Sequence, residues 1–302
     1  MEKENRKKEL EASLKSLDTE EFIDIYFYRP IGYRWALLFK QFGITPNSVT
    51  IASIFLGVAA GILFYYNDIR ITLCGIFLLI WANSYDSADG QLARLTGQKS
   101  ELGRILDGTS GDFWFITIYA SICLRLSTEW GIWIWGLAAI TGFCHSKQAA
   151  IADYYRNIHL FFLKGKAGSE LDSSYQQAEL YKSLSWKNDF IRKLFIFFYK
   201  GYTASQEKLT PKFQLFFKAA KERYGDNIPQ NLKDEFRILS KPLMKYTNIL
   251  SFNTRVIVLF ISLLINIPWI YFVFEITVLN ILLIYMIIRH ESFCKKLYKQ
   301  LS

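Results

Sequence analysis

Between residues 86 and 112 the sequence reads DSADGQLARLTGQKSELGRILDGTSGD. It holds four carboxylates: Asp86, Asp89, Asp107 and Asp112. Asp86 and Asp89 are three residues apart, the spacing of one helix face. Counted from Lys99, in the middle of the polar stretch 95–103, Asp86 and Asp112 each lie thirteen residues away, Asp89 ten and Asp107 eight. If the flanks are antiparallel helices joined there, all four acids reach a similar depth. An ionised Asp inside a bilayer costs about 2.5–3.5 kcal/mol even on the mildest scale. Four of them on apolar helices need compensation. Oxygen-only ligation suits Mg²⁺ or Mn²⁺, and such ions clamp both sides of a phosphoryl centre. Gly90, Gly103, Gly108 and Gly111 lie on the same two helices, where glycine permits close approach, here of a nucleotide.

The elements that must carry these acids are apolar. Of 302 residues, 51% are hydrophobic and 17% aromatic, which excludes a disordered chain. The mean hydropathy of +0.13 is high for a chain with 21% charged residues, so charge and apolar stretches are segregated. Gln41 to Asn67 and Val256 to Phe274 carry no charge, and each approaches or exceeds the ~20 residues a bilayer crossing needs. Shorter apolar blocks bring the expectation to six spans, about 47–67, 71–94, 104–126, 131–161, 254–274 and 276–294. Tyr65, Tyr66, Trp130, Trp133, Trp135, Trp269 and Tyr271 cluster near the span ends, as an aromatic belt would.

Lys and Arg set the orientation. They number 36 against 27 Asp and Glu, a net +9. Lys3, Arg6, Lys7, Lys8, Lys15, Arg29, Arg34 and Lys40 precede the first span, and Arg94, Lys99 and Arg104 surround the second turn. Segment 164–250 carries sixteen bases against nine acids, and Lys295, Lys296 and Lys299 follow the last span. Positive charge gathers on the cytoplasmic side, so both termini and the acidic motif are expected there. The expected fold is an all-α integral, multi-pass protein of the inner or cytoplasmic membrane. Segment 1–45 is read as cytoplasmic and interfacial, with an amphipathic helix over 20–40 that Pro30 divides. Residues 46–163 hold spans one to four, 164–250 a basic insertion of short amphipathic helices, and 251–302 the last two spans and a tail. Residues 1–20 lack an apolar stretch, so no cleavable signal peptide is expected there. Cys74, Cys123, Cys144 and Cys294 form no C-x-x-C pair and read as small core residues. His145, His159 and His290 share no metal-binding spacing. No nucleic-acid recognition fold is visible.

At this point the sequence resembles the CDP-alcohol phosphotransferases. Their signature, D-x2-D-G-x2-A-R-x8-G-x3-D-x3-D, is met by Asp86, Asp89, Gly90, Ala93, Arg94, Gly103 and Asp107. Ile44–Thr50, ITPNSVT, also looks like the family's approach to its first span. One spacing departs: the position four after Asp107 is Gly111, and the last acid is Asp112. In an ideal helix, i+5 lies about 140° from i. A π-bulge, which inserts one residue, would return Asp112 to the site, and such a bulge is expected here.

The resemblance implies transfer of a substituted phosphate from a CDP-linked donor to an alcohol, with release of CMP. Asp86, Asp89, Asp107 and Asp112 would then hold Mg²⁺ or Mn²⁺, two ions in all. Asp112 would act as general base, and Gly90, Ala93, Arg94 and Gly103 would line the CDP site. Asn47 and Thr50 would help to hold the donor phosphates. The layout most resembles members that make phosphatidylinositol phosphate, with CDP-diacylglycerol as donor lipid and a small polar alcohol as acceptor. Lys147, Arg255 and Arg289 are candidates for an acceptor phosphate. A homodimer amid membrane lipids, with no nucleic-acid partner, is expected. The alternatives are CDP-ethanolamine or CDP-choline with diacylglycerol, and a non-catalytic lipid-binding or transport homologue.

Overall fold

A computed structural model of the chain describes residues 16, 18–98 and 100–301. The bases Lys3, Arg6, Lys7, Lys8 and Lys15, and Lys99 of the polar turn, lie outside the described residues. Every regular element described is helical. Four helical stretches are long and apolar enough to cross a membrane: Pro46–Leu63, Ile69–Thr96, Gln230–Leu264 and Trp269–Leu301. The helices Glu101–Trp130 and Trp133–Lys164, of 30 and 32 residues, match the other two expected spans in place. Their length suffices, but Asp107, Asp112, Arg125, His145 and Lys147 make them more polar.

The chain forms two compact units. The first comprises residues up to Phe143 together with Arg255–Ile276. It opens with a π-helical turn, Asp24–Tyr28, that leads directly into α1, Arg29–Gln41. Pro30 therefore does not divide the segment as expected. It stands in the first turn of α1, where its missing N–H costs least, and the wider π turn before it bonds Arg29 N–H to Asp24 O. Helix α2, Pro46–Leu63, starts at Thr45, whose hydroxyl accepts from Ser48 N–H. Asp68 caps α3, Ile69–Thr96, by accepting from Arg70 and Ile71 N–H at 2.8 and 3.2 Å. Gly97, at φ +69°, ends it. Ser100 then caps α4, Glu101–Trp130, accepting from Gly103 N–H at 2.9 Å.

Small residues draw these helices together. A Cβ on Gly57 of α2 would lie 2.2 Å from the Trp114 indole of α4, and one on Gly61 would lie 3.0 Å from Thr117. Gly75 of α3 faces Phe64 at 2.6 Å by the same measure. Helix α1 lies on α3 through Ala36, Phe39, Ala88 and Leu92, and Val49 of α2 joins the same cluster. At the end away from the acids, Arg125 donates to Asn67 Oδ1 at 2.7 Å and Asn266 Oδ1 at 2.5 Å, tying two connections together.

The last two spans turn elsewhere than expected. Chain direction reverses after α11, Phe252–Leu264, at Asn266 (φ +60°) and Pro268, and not at Glu275. Asn in the left-handed region followed by Pro is a local turn signal. Glu275 instead begins a π-helical turn, Glu275–Leu279, between α12, Trp269–Phe274, and α13, Asn280–Leu301. Its charge is tolerated because Arg255 Nη1 donates to it at 2.6 Å and Tyr271 OH donates to its other oxygen.

The second unit contains Cys144–Thr254 and Thr277–Ser302. The first part of it completes α5, Trp133–Lys164. The basic segment folds as a series of helices joined by short connections: α6 Ser174–Ser183, α7 Phe190–Leu209, α8 Pro211–Tyr224, α9 Gln230–Ser240 and α10 Met244–Ile249. Phe162, Phe213, Phe216 and Phe236 are buried together, with Phe162 stacked on Phe236 at 3.9 Å. Glu291 of α13 accepts from Lys212 and Phe213 N–H at the start of α8. The aromatic residues of this segment divide: Phe213 and Phe216 are core, while Phe197 and Phe198 are exposed. All four cysteines are free thiols.

Candidate metal and phosphate site

The acids of the motif converge from two helices. Asp86 and Asp89 stand three residues apart on α3, and Asp107 projects from the second turn of α4. One carboxylate oxygen from each lies within 4.8 Å of the others. Asp89 is buried, Asp86 half-buried and Asp107 exposed, so the cluster opens on the Asp107 side. Three carboxylates this close repel one another unless a cation or protons intervene. An all-oxygen set suits a hard divalent ion.

Hydroxyl groups fix two of the acids. Thr50 Oγ1 of α2 donates to Asp89 Oδ2 at 2.5 Å. Ser110 Oγ donates to Asp86 Oδ1 at 2.8 Å and also lies 2.9 Å from the Asp107 carbonyl. Ser110 was not legible as a site residue, although it stands three after Asp107, on the face that meets Asp86. Thr50 was expected to hold donor phosphates, and its hydroxyl is on Asp89.

Helix α4 is α-helical from end to end, so the expected π-bulge is absent. With no inserted residue, i+5 stays on a different face from Asp107. Asp112 is exposed and stands outside the three-acid cluster. Gly111, at the motif position, has open space where a side chain would be, as does Gly108.

The remaining motif residues shape the surroundings. Arg94, one turn beyond Gly90 on α3, has its Nε and Nη2 buried with no hydrogen-bond partner among the described residues. A Cβ on Gly90 would meet only the Arg94 guanidinium, at 3.6 Å. The Gly90 face is therefore clear of other helices, and buried guanidinium donors stand beside it unmatched. That fits a phosphate next to a bound cation. Ala93 is half-buried on the same helix. Gly103 is set by packing: a Cβ there would lie 2.6 Å from Asn47 Oδ1 and 2.9 Å from Ser100 Oγ. Asn47 Oδ1 accepts from Ser100 Oγ at 3.2 Å, so it joins the starts of α2 and α4.

The three bases expected to meet an acceptor differ in setting. Arg255 is buried and held by Glu275 in the first unit, so its charge is already matched. It serves as the partner that lets Glu275 lie in an apolar interior. In the second unit, Lys147 donates to Ser205 Oγ at 2.6 Å, and Arg289 is exposed on α13.

Comparison with known proteins places this geometry. Residues 43–156 match the sequence model of the CDP-alcohol phosphatidyltransferase family. A stretch of 91 residues is 37% identical to the archaetidylinositol phosphate synthase of Pyrococcus horikoshii, covering 30% of this chain and 46% of that protein. The chain thus spans about half the length of the curated relative it matches. No solved structure matches it. The matched residues contain all three clustered acids, their two hydroxyl partners and Arg94, so the whole acid cluster lies in the part of the chain that is similar to the CDP-alcohol phosphatidyltransferase family.

Proposed function

We propose that the protein is a membrane phosphotransferase of phospholipid synthesis. It moves a phosphatidyl group from CDP-diacylglycerol to a polar alcohol and releases CMP. The observation that carries this reading is the gathering of Asp86, Asp89 and Asp107 within 4.8 Å inside the family-matched region. An inositol-phosphate-like acceptor is favoured by the similarity to the Pyrococcus archaetidylinositol phosphate synthase. Lys147 and Arg289 remain the bases we assign to the acceptor phosphate, and Arg255 drops out because Glu275 already matches it.

Mg²⁺ or Mn²⁺ held by the three acids, as one ion or two, would neutralise the diphosphate and the charge left on CMP. The chain supplies the rest. Arg94 and the clear Gly90 face receive the nucleotide phosphates, with Ala93, Gly103 and Asn47 bounding them. The acceptor hydroxyl oxygen forms a new bond to the phosphatidyl phosphorus as the bond to CMP breaks. Its proton passes to a carboxylate. That carboxylate must be exposed and adjacent to the donor phosphates. Asp107 meets both conditions, whereas Asp112 is exposed but outside the cluster. We therefore assign the proton to Asp107, and Asp112 is the competing base. Six spans, cytoplasmic termini, a cytoplasmic site and a homodimer complete the proposal.

The test is CMP release by purified protein in detergent with CDP-diacylglycerol, Mg²⁺ or Mn²⁺, and a panel of inositol, inositol phosphate, glycerol phosphate and serine. Release with inositol phosphate is expected, abolished in Asp107→Asn and retained in Asp112→Asn. Loss in Asp112→Asn with metal binding intact would transfer the base role to Asp112. Silence with every acceptor, followed by activity with CDP-ethanolamine and diacylglycerol, would overturn the donor assignment. Silence there too would favour a non-catalytic homologue.

A further inference from the structure

Segment 20–40 lies on the acid motif itself. A Cβ on Gly32 of α1 would lie 2.9 Å from Ser87 Oγ and 3.1 Å from Ala88 N, between Asp86 and Asp89. Gln91 Nε2 of α3 donates to the Arg29 carbonyl at 3.1 Å, which fixes the backbone at the start of α1. The Arg29 side chain is consequently held beside the site. It lies within electrostatic reach of Asp86 and of Arg94.

Two guanidiniums in one half-buried place repel each other, and the repulsion is relieved by a shared anion. Glu20 supplies part of that relief. Arg29 donates through Nε to Glu20 Oε2 at 3.2 Å and through Nη2 to Oε1 and Oε2 at 3.1 Å. The pair is not a solvated surface contact, since the two side chains are 19% and 6% exposed. Glu20 engages only one edge of the fork. Arg29 Nη1 makes no protein hydrogen bond among the described residues, and Arg94 Nε and Nη2 are buried without a partner. A tetrahedral anion with several acceptor oxygens answers both sets of donors, as arginine forks commonly do with phosphate.

We propose that Arg29 is a second phosphate-binding residue of this site, acting with Arg94, and that Glu20 holds its guanidinium in place. The inference rests on the CDP-alcohol phosphotransferase reading and extends the site to a helix outside the family-matched residues 43–156. The phosphate belongs either to the CDP-linked donor or to a phosphorylated acceptor.

The experiment measures equilibrium binding to the full chain in detergent with Mg²⁺, using two soluble probes. CDP-glycerol reports the donor head group, and inositol phosphate in the presence of CMP reports the acceptor. Arg29→Ala should weaken at least one probe about tenfold or more, the loss of a charge-assisted contact. Arg29→Lys should recover part of it. Glu20→Gln, which keeps the shape and weakens the ion pair, should lose affinity too, but less than Arg29→Ala. The probe that weakens names the phosphate. Thermal unfolding of each variant separates folding from binding. Unchanged affinity for both probes in Arg29→Ala would overturn the inference. So would equal weakening in Arg29→Ala and Glu20→Gln, which would make the pair merely structural. If the wild-type protein bound neither probe, the phosphotransferase reading itself would fail, and this inference with it.

Discussion

Asp89 is 3% exposed, and a carboxylate so placed depends on its partners. The Thr50 hydroxyl donates to Oδ2 at 2.5 Å, and Gly90, next in the chain, adds no side chain that would crowd it. Removing a hydrogen bond from a buried acceptor costs about 1–3 kcal/mol. At about 1.4 kcal/mol per factor of ten, that is roughly a ten- to hundredfold effect. Thr50→Val keeps the shape and removes the donor, so it should lower kcat/KM by that range and raise the Mg²⁺ concentration needed for half-maximal rate. Thr50→Ser should restore both. Ser110→Ala should do less, because Asp86 is only half-buried and water can replace the lost donor. A Mg²⁺ titration of rate for the three variants checks this. Equal activity in Thr50→Val and wild type would mean that the Asp89 contact has no part in forming the site.

Helix crossings decide whether these side chains meet. A tight one is between α2 and α4, where Gly57 leaves room for the buried Trp114 indole. An added methyl there falls inside the ring, and overpacking of this kind costs about 1–3 kcal/mol. Gly57→Ala should therefore lower thermal stability in detergent and, by displacing α4, reduce activity. Gly111→Ala meets nothing within 4 Å and gains up to about 1 kcal/mol of helix propensity. It should be at least as stable as wild type, and any rise in donor KM would show that substrate uses the space. Side-by-side thermal unfolding and donor KM measurements separate the two. Much of this level was legible in the sequence: the i,i+3 pair of acids and the short polar turn bring α3 and α4 together. The phase of α4 was not. One residue separates Gly111 from Asp112, and residue types alone do not say whether the helix inserts a bulge between Asp107 and Asp112. The Arg255–Glu275 pair was hidden for another reason. It forms only because the chain turns at Asn266–Pro268, and a lone charge at 275 had looked like the turn.

Across the whole molecule, charge and apolar surface are distributed in a way that only a membrane explains. Segment 164–250 holds sixteen bases and nine acids, and it folds as helices around a Phe162–Phe236 core. One of them, α7, keeps an apolar face outside that core. Phe190, Ile191, Phe197 and Phe198 are exposed there. Lys193 and Lys200 flank it, each within 4.8 Å of the Tyr181 ring centre. An apolar face edged by Lys is the pattern of a helix lying in the headgroup layer, where each base near an anionic surface contributes about 1 kcal/mol. If α7 is such a contact, its effect must depend on the lipid and vanish in a micelle. Phe198→Asp should leave CMP release in detergent within about twofold of wild type, the range of a surface change. In vesicles containing anionic lipid the same variant should have a raised apparent KM for the lipid donor, and the wild type should lose the advantage of those vesicles at high salt, where surface charge is screened. Parallel assays in detergent, neutral vesicles and anionic vesicles decide the matter. An equal loss in all three would place Phe198 in the fold of the second unit. No loss in any would leave α7 free for a protein partner, with its bases and aromatics still unclaimed by lipid.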